Sequence, residues 1–425
     1  MNRAILVNKE NKIKESFYKH LELITIKNKS NEELQIEKET YANYLELEEH
    51  LKEKGIAIDI EKAYISTAVE NSEYNTALAL SINIDSTNYE ELHKALSKYG
   101  FILRYPQDKE NITGYEYNPT HIRYVGNVIS KIIYENSWTL EEYLNEFSGV
   151  IVVNKEKDMT SFDVVNEISH LFGIKKVGHT GTLDPMAEGI LIICIGKATK
   201  IVELLTAKDK EYVAGVKLGI KTDSYDITGN ILDTKEVKDI ENLEEVILSY
   251  KKTYLQEVPI YSAVKVDGKK LYEYARNNKE VELPKKEVTI KKIELLEKDK
   301  DAFIIKTLVS KGTYIRSLIN DIGNSLNTYA TMTSLNRTKQ GKVTINDSYK
   351  LNDIKSNNFK YYKIEEVLEY PIIRVDEDLE FKIKNGVKIK NTFEIENKVL
   401  FVNENNKLLG IYEKNNEELK VWKNF

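Results

Sequence analysis

The sequence predicts an α+β protein of more than one domain, and three observations carry that expectation. Helical and strand periodicities interleave along the whole chain. Its 425 residues exceed one typical domain, so two to four are expected. The charge also divides at one point. Residues 1–147 hold 17 Lys and Arg against 25 Asp and Glu, a net of −8, whereas residues 148–425 hold 45 against 43, a net of +2. Such a step suggests a domain boundary.

Composition narrows the class. Hydrophobic residues are 41% and charged residues 31%, an ordinary soluble balance. The single cysteine, Cys194, excludes an intramolecular disulfide and a Cys-only zinc site. The longest apolar run, Ile190 to Ile195, falls far short of the ~20 residues of a membrane span. Ala4-Ile5-Leu6-Val7 is too short for the apolar core of a signal peptide. A cytoplasmic protein without membrane contact is therefore expected. The overall charge of −6 argues against a polyanion partner, but the acidity belongs to the first third. Any polyanion would bind the later part.

In the first segment, Tyr41 to Lys54 reads as a helix stopped by Gly55. Ile56, Ile58 and Ile60 alternate as in a strand, and Leu78, Leu80, Ile82 and Ile84 predict a half-buried one. Tyr89 to Tyr99 is helical, ended by Gly100, with Phe101 to Tyr105 extended after it. Val125, Val128, Ile129, Ile132 and Ile133 mark another helix.

Two stretches here resemble VanY-type D-alanyl-D-alanine carboxypeptidases. They are Ser72-Glu73-Tyr74-Asn75 through Ser81, and Tyr99 to Tyr105 through Thr113-Gly114-Tyr115 to Asn118-Pro119-Thr120-His121-Ile122-Arg123-Tyr124-Val125-Gly126. The resemblance covers roughly residues 40–135 and implies an α+β carboxypeptidase-like fold. That family holds zinc with a His, an Asp and a second His. Here those positions carry Tyr74, Ser81 and His121. The catalytic Glu position carries Asn118, and the Arg of a Tyr-Arg-Ser segment is Ile65 in Tyr64-Ile65-Ser66. A catalytic zinc needs about three protein ligands, so a degenerate domain without metal is expected.

In the second segment, Gly149 to Lys155 is a buried strand by its apolar run. Thr160 suits an N-cap with Asp163 three residues on, and Val164, Ile168, Leu171 and Phe172 continue at helical spacing. Val177-Gly178-His179-Thr180-Gly181-Thr182-Leu183-Asp184-Pro185 then reads as a structured loop before the strand Ile190–Ile195. A loop carrying His and Asp between buried strands is where chemistry tends to sit.

The run from Gly178 through Asp184-Pro185-Met186-Ala187-Glu188-Gly189 to Gly196-Lys197-Ala198-Thr199-Lys200 is similar to the signature of TruB-type tRNA pseudouridine-55 synthases. Further segments follow in that family's order. They are Lys210-Glu211-Tyr212, Thr222 to Asp226, Tyr261 to Lys265, Tyr272 to Arg276, Ser310 to Leu318 and Asp321-Ile322-Gly323. The match runs from about Gly149 to about Val343. In the first motif Glu156 stands for a proline and Asp158 for a glycine, and Asn336 replaces a common Arg beside Arg337.

The resemblance implies an isomerase, without cofactor, that converts uridine-55 in the T-arm stem-loop of tRNA to pseudouridine. Uracil is detached from its ribose, rotated and rejoined through carbon, and the base must first be extruded from the folded loop. The essential Asp maps to Asp184, whose carboxylate can attack the sugar or take a proton from it; the sequence admits both. Burial disfavours an ionised carboxylate, and the resemblance places Arg316 beside it as cation partner. Only 7 of the 62 basic residues are Arg, and a guanidinium pairs with a carboxylate in two places where Lys cannot. Tyr212 stacks on the flipped base, His179 contacts the opened stem-loop, and Leu335 lines the pocket. Lys155 is a scaffold or RNA-facing residue. Lys175, Lys176, Lys197, Lys200, Lys265, Lys269, Lys270 and Lys311 are candidate phosphate contacts. A tRNA-binding chaperone with weakened catalysis is the alternative, motivated by the altered first motif. A zinc D,D-carboxypeptidase is the further one, opposed by the missing ligands.

In the last segment, Phe381, Ile383 and Val387 to Ile389, then 399–402, 408–412 and 419–422, read as short alternating strands. Lys384-Asn385-Gly386 is a hairpin-turn signal. A small β domain results, weakly similar to the PUA-like C-terminal domain of TruB proteins. The expected organisation is thus residues 1–147 carboxypeptidase-like, 148–349 catalytic with a mixed-sheet core, and 350–425 PUA-like, acting as a monomer. The acidic domain is expected to be dispensable for chemistry.

Overall fold

The computed structural model describes residues 2–8, 10–65, 72–237, 241–277 and 279–425. Ser66 lies outside the described residues.

The N-terminal region opens with a hairpin, β1 (Leu23–Lys27) and β2 (Glu33–Glu37), and a long helix, α1 (Lys38–Glu53). This helix begins three residues before the sequence expectation, because the Glu37 side chain caps it by accepting from Thr40 N at 2.7 Å. β3 (Asp59–Lys62), β4 (Ala79–Asn83), helix α2 (Tyr89–Leu96), β5 (Phe101–Tyr105) and β6 (Asn118–Tyr124) follow. The four strands form an antiparallel sheet in the order β3-β4-β6-β5. β4 is buried on both faces rather than half-buried, since Ala79 and Ser81 are covered as well as Leu80 and Ile82. Helix α3 (Asn127–Asn136) starts after Gly126, whose positive φ ends the strand, so Val125 belongs to the strand side.

Helix α4 (Leu140–Glu146) leads into β7 (Gly149–Lys155), then α5 (Ser161–Phe172), β8 (Val177–His179) and β9 (Glu188–Ile195). Thr160 caps α5 in a reciprocal box with Asp163, as its spacing predicts. The expected loop is shorter than read: Val177 to His179 pairs with β9, leaving residues 180–187. The sheet is completed by β10 (Lys210–Leu218), β11 (Thr253–Glu257), β12 (Lys285–Lys298), β13 (Ala302–Val309) and, after helix α6 (Ile315–Ser325), β14 (Ala330–Gln340). Its order is β11-β12-β13-β10-β14-β9-β7, with β8 and Val343–Thr344 at its margins, and it is mixed because β14 and β9 run parallel.

β7 and β9 carry unbroken apolar runs because both faces are covered. Ile151, Val153, Leu191 and Ile193 face the helices, and Val150, Val152, Ile190 and Ile192 face a second core shared with the C-terminal region. That region holds β15 (Ile372–Arg374), α7 (Glu377–Lys384), β16 (Ile389–Lys390), β17 (Lys398–Val402), β18 (Leu408–Asn415) and β19 (Glu418–Asn424), with sheet order β15-β17-β18-β19-β16. Here one expectation is corrected. Phe381 and Ile383 lie on a helix, and Lys384-Asn385-Gly386 is its exit rather than a hairpin turn. The Asp376 carboxylate accepts from Leu379 N at 2.9 Å, and an acidic first turn complements the helix N-terminus. No described helix is long and apolar enough to cross a membrane.

The acidic segment does not end in a free-standing core. Ile129, Ile132, Ile133, Leu140 and Tyr143 share one core with Val164, Ile168 and Phe172. The Tyr143 hydroxyl donates to Phe172 O at 2.8 Å. A large apolar side chain returned to water forfeits about 1.5–3 kcal/mol. Deleting residues 1–145 is therefore expected to lower Tm by about 10 °C or more, read by calorimetry. An unchanged Tm would show that the shared core contributes nothing.

Candidate active site

Asp184 sits in loop 180–187, which is pinned on both sides. Before it, Leu183 N donates to the Ser161 hydroxyl at 2.8 Å, and that hydroxyl donates to Leu183 O at 3.1 Å. After it, Pro185 O accepts from the Lys155 ammonium at 3.2 Å and from Asp158 N at 2.9 Å. Asp158 has φ 64°, the left-handed region that the glycine of the resembled motif would supply. Asp is among the residues that tolerate it, so the altered motif keeps its shape.

Lys155 is 1% exposed, and its ammonium also donates to Glu156 O and Met159 O. These contacts place the ammonium on three backbone carbonyls beside the loop. Burial pushes it down to about 8, against the pull of Asp184.

Arg316, buried on the first turn of α6, reaches Asp184 from the opposite side, Nε to Oδ2 at 3.0 Å. The pairing uses one nitrogen, not the two expected of a fork. Nη1 donates to Ser224 O at 3.2 Å and lies 3.7 Å from Asp226 Oδ2, while Nη2 donates to Tyr261 O at 3.0 Å. The helix start is fixed by Gln256 on β11, whose side-chain amide accepts from Tyr314 N at 2.8 Å and donates to Tyr314 O at 3.1 Å. The Asp184 side chain is 36% exposed and Arg316 is 7% exposed, so the carboxylate is open and its partner is not.

Asp184 opens into a cavity of about 470 Å³, and Arg316, Tyr212 and Leu335 form part of its wall. These four residues thus meet there, from a loop, a helix and two adjacent strands, and Lys311, one of the candidate phosphate contacts, joins them in the wall. Tyr212 and Leu335 are each 7% exposed. His179 is half-buried at the end of β8 and accepts through Nδ1 from Gly181 N at 3.3 Å; burial lowers its proton affinity. It stands behind the loop, not in the cavity wall. Sequence reasoning missed Asp226 as a second carboxylate on Arg316, and Lys210 and Arg337 as wall residues. Lys210 carried a signal, since it lies two residues before Tyr212 and so on the same strand face.

The N-terminal region holds a different constellation. His121 is 5% exposed, its Nδ1 lies 3.3 Å from the Tyr74 hydroxyl, and the Tyr74 and Tyr105 rings flank it at 4.9 Å. Burial pushes it down to about 4, so it is neutral at pH 7. Ser81, opposite it across the sheet, donates to Glu61 at 3.0 Å. Glu73 is buried between Arg104 and Arg123, and Arg104 also pairs with Glu141 on α4 at 2.7 Å. Among the described residues no group of three or more His, Cys, Asp or Glu side chains could hold a metal. A zinc ion does not fit these residues. Chelation with EDTA is expected to leave Tm unchanged, because a bound metal would add its binding energy to folding. A drop in Tm by differential scanning fluorimetry would show that metal is held.

Known proteins align with the two regions separately. Residues 169–315 match the TruB family pseudouridylate synthase (N terminal domain), and residues 316–379 the tRNA pseudouridylate synthase B C-terminal domain. The tRNA pseudouridine synthase B of Clostridium tetani is 43% identical over 285 residues, covering 65% of this chain and 99% of that protein. This chain belongs to the TruB family. The Fusobacterium nucleatum member of the TruB family is likewise 43% identical, over 65% of this chain and 99% of its own. A solved H/ACA RNP bound to a substrate RNA containing 2′-deoxyuridine is 21% identical, covers 68% of this chain and 88% of that one, and has a TM-score of 0.51, which shows a shared fold. Residues 27–127, outside the TruB part, match D-alanyl-D-alanine carboxypeptidase.

Proposed function

We propose that this TruB family chain isomerises uridine-55 in the T-arm of tRNA to pseudouridine, with residues 148–349 as catalytic domain and 350–425 as RNA-binding accessory. The observation that carries the reading is the Asp184 carboxylate, held on Arg316 and open to a cavity walled by Tyr212 and Leu335. The cavity takes the extruded uridine; stacking on Tyr212 contributes ~1–3 kcal/mol by analogy with single-strand binding. Asp184 acts at the ribose, by attack or by proton removal. Arg316 holds the carboxylate in place, Leu335 excludes water, and His179 supports the loop that meets the opened stem. Lys155 holds that loop through backbone carbonyls. No redox change or energy source is needed, so no cofactor is required. The protein acts as a cytoplasmic monomer, and the degenerate carboxypeptidase-like domain of residues 1–147 takes no part in the chemistry.

The changed first motif favours no weakened chaperone, since Asp158 adopts the left-handed backbone and Lys155 keeps its three carbonyls. Unmodified T-arm RNA incubated with the protein is expected to yield pseudouridine. Tight binding without product would favour the chaperone reading.

A further inference from the structure

The cavity carries more positive charge than its one reacting carboxylate accounts for. Besides Arg316, its wall contains Lys210, Lys286, Lys311 and Arg337. Among the described residues, the wall's ion pairs are those of Arg316 with Asp184 and Asp226. Among the described residues, none of the other four cations has a carboxylate oxygen within 4 Å. Two of them are buried: Lys210 is 7% exposed and Arg337 1%. Their polar atoms are met by backbone carbonyls only. Lys210 donates to Thr206 O at 2.9 Å and Lys208 O at 2.8 Å, and Arg337 to Ile190 O at 2.7 Å and Gly181 O at 3.0 Å. Carbonyls satisfy hydrogen bonds but leave two like charges uncompensated in a low-dielectric wall, which is costly unless a counter-charge arrives.

The two cations converge on one spot. A Cβ at Gly181 would lie 3.5 Å from Arg337 Nη1 and 3.6 Å from Lys210 Cε. Lys210 retains one N–H, and Arg337 Nη1 is not among the donors engaged. Burial and then Arg337 and Lys311 push the Lys210 ammonium down to about 8, against the weaker pull of Asp209, which makes no ion pair with it. Gly181 precedes Asp184 by three residues, a chain length of at most about 10 Å. A ribose placed at Asp184 carries a phosphate on either side within such a distance.

We propose that Lys210 and Arg337, with Lys311 at the rim, form an anion subsite for one backbone phosphodiester flanking the nucleotide whose base enters the cavity. This rests on the synthase reading. The subsite anchors the strand from inside the pocket, so that the sugar, and not only the base, is fixed against Asp184. It also explains why Lys210 is buried on the same strand face as Tyr212.

The test is a charge-deletion cycle on the full-length chain. T-arm stem-loops are made with a native backbone, or with a neutral methylphosphonate at the 5′ or the 3′ phosphate of the target uridine. Lys210→Met is expected to weaken binding of the native RNA by about 10- to 100-fold, the range for a lost charged hydrogen bond. It should weaken binding of one methylphosphonate RNA by less than about threefold. Its salt slope should be shallower by about 0.7–0.9, and Lys210→Arg should restore native binding. Equal loss on native and both neutral RNAs would overturn the proposal. Lys311→Met, at an exposed position, repeats the cycle where folding is not at risk, with a selective loss of about 3- to 10-fold expected; a loss that ignores the backbone charge would again overturn it. Absence of pseudouridine from the wild-type protein, with the cycle intact, would refute the catalytic reading alone.

Discussion

Replacing Asp184 by Asn is expected to lower kcat by about 1,000-fold or more while leaving T-arm affinity within about threefold. The substitution is nearly isosteric, so the amide fills the place of the carboxylate beside Arg316, whose Nε lies 3.0 Å from Oδ2. The loop stays pinned by Ser161 and Lys155, neither of which touches the Asp184 side chain. What disappears is the negative charge and basicity that either route at the ribose demands. An effect confined to kcat means that the group acts on the reacting atoms, whereas a rise in KM alone would make it a binding residue.

Arg316→Met is expected to lower kcat by about 100- to 1,000-fold and stability by about 3 kcal/mol. The stability loss comes from burial. Without the guanidinium, Ser224 O and Tyr261 O lose their donor, and the 5%-exposed Asp226 loses its cation. Arg316→Lys should recover little, because one ammonium cannot reach Asp184, Asp226 and two carbonyls from three separate nitrogens. Urea unfolding and steady-state kinetics on the two variants check both effects. Full activity of Arg316→Lys would show that charge alone suffices.

Much of this architecture was legible in the sequence where a physical constraint leaves a strong pattern. β7 and β9 are buried on both faces, so their apolar runs are unbroken, and the α5 cap shows as Thr160 with Asp163. α7 was misread because its informative pair is small. Ile383 is fully buried and Phe381 is 70% exposed, and two residues at i and i+2 cannot separate a strand from a helix. The acidic cap at Asp376 was the better signal. The charge step at residue 147 reports surface composition, so it could not show that Ile132 and Tyr143 pack against Phe172.

The site was legible through resemblance rather than periodicity. Asp184, Tyr212, Arg316 and Leu335 are spread over about 150 residues and meet only in the folded sheet. Lys155 looked equally like a scaffold or an RNA contact because its partners are backbone carbonyls, which carry no sequence signature. The N-terminal region shows the converse. It holds a buried ion network of Glu73, Arg104, Arg123 and Glu141, while the metal positions hold Tyr74 and Ser81. Glu141 lies on α4, so this network ties the carboxypeptidase-like sheet to the helix that enters the synthase.

The most direct measurement is pseudouridine formation in unmodified T-arm RNA, wild type against Asp184→Asn, in single-turnover time courses with the product, an isomer of unchanged mass, detected by selective chemical labelling and sequencing. The wild-type chain should convert the one target uridine and the Asn variant should not, at matched RNA binding. Equal conversion by the two proteins, or none by either, would contradict the assignment of Asp184 as the reacting group of this cavity.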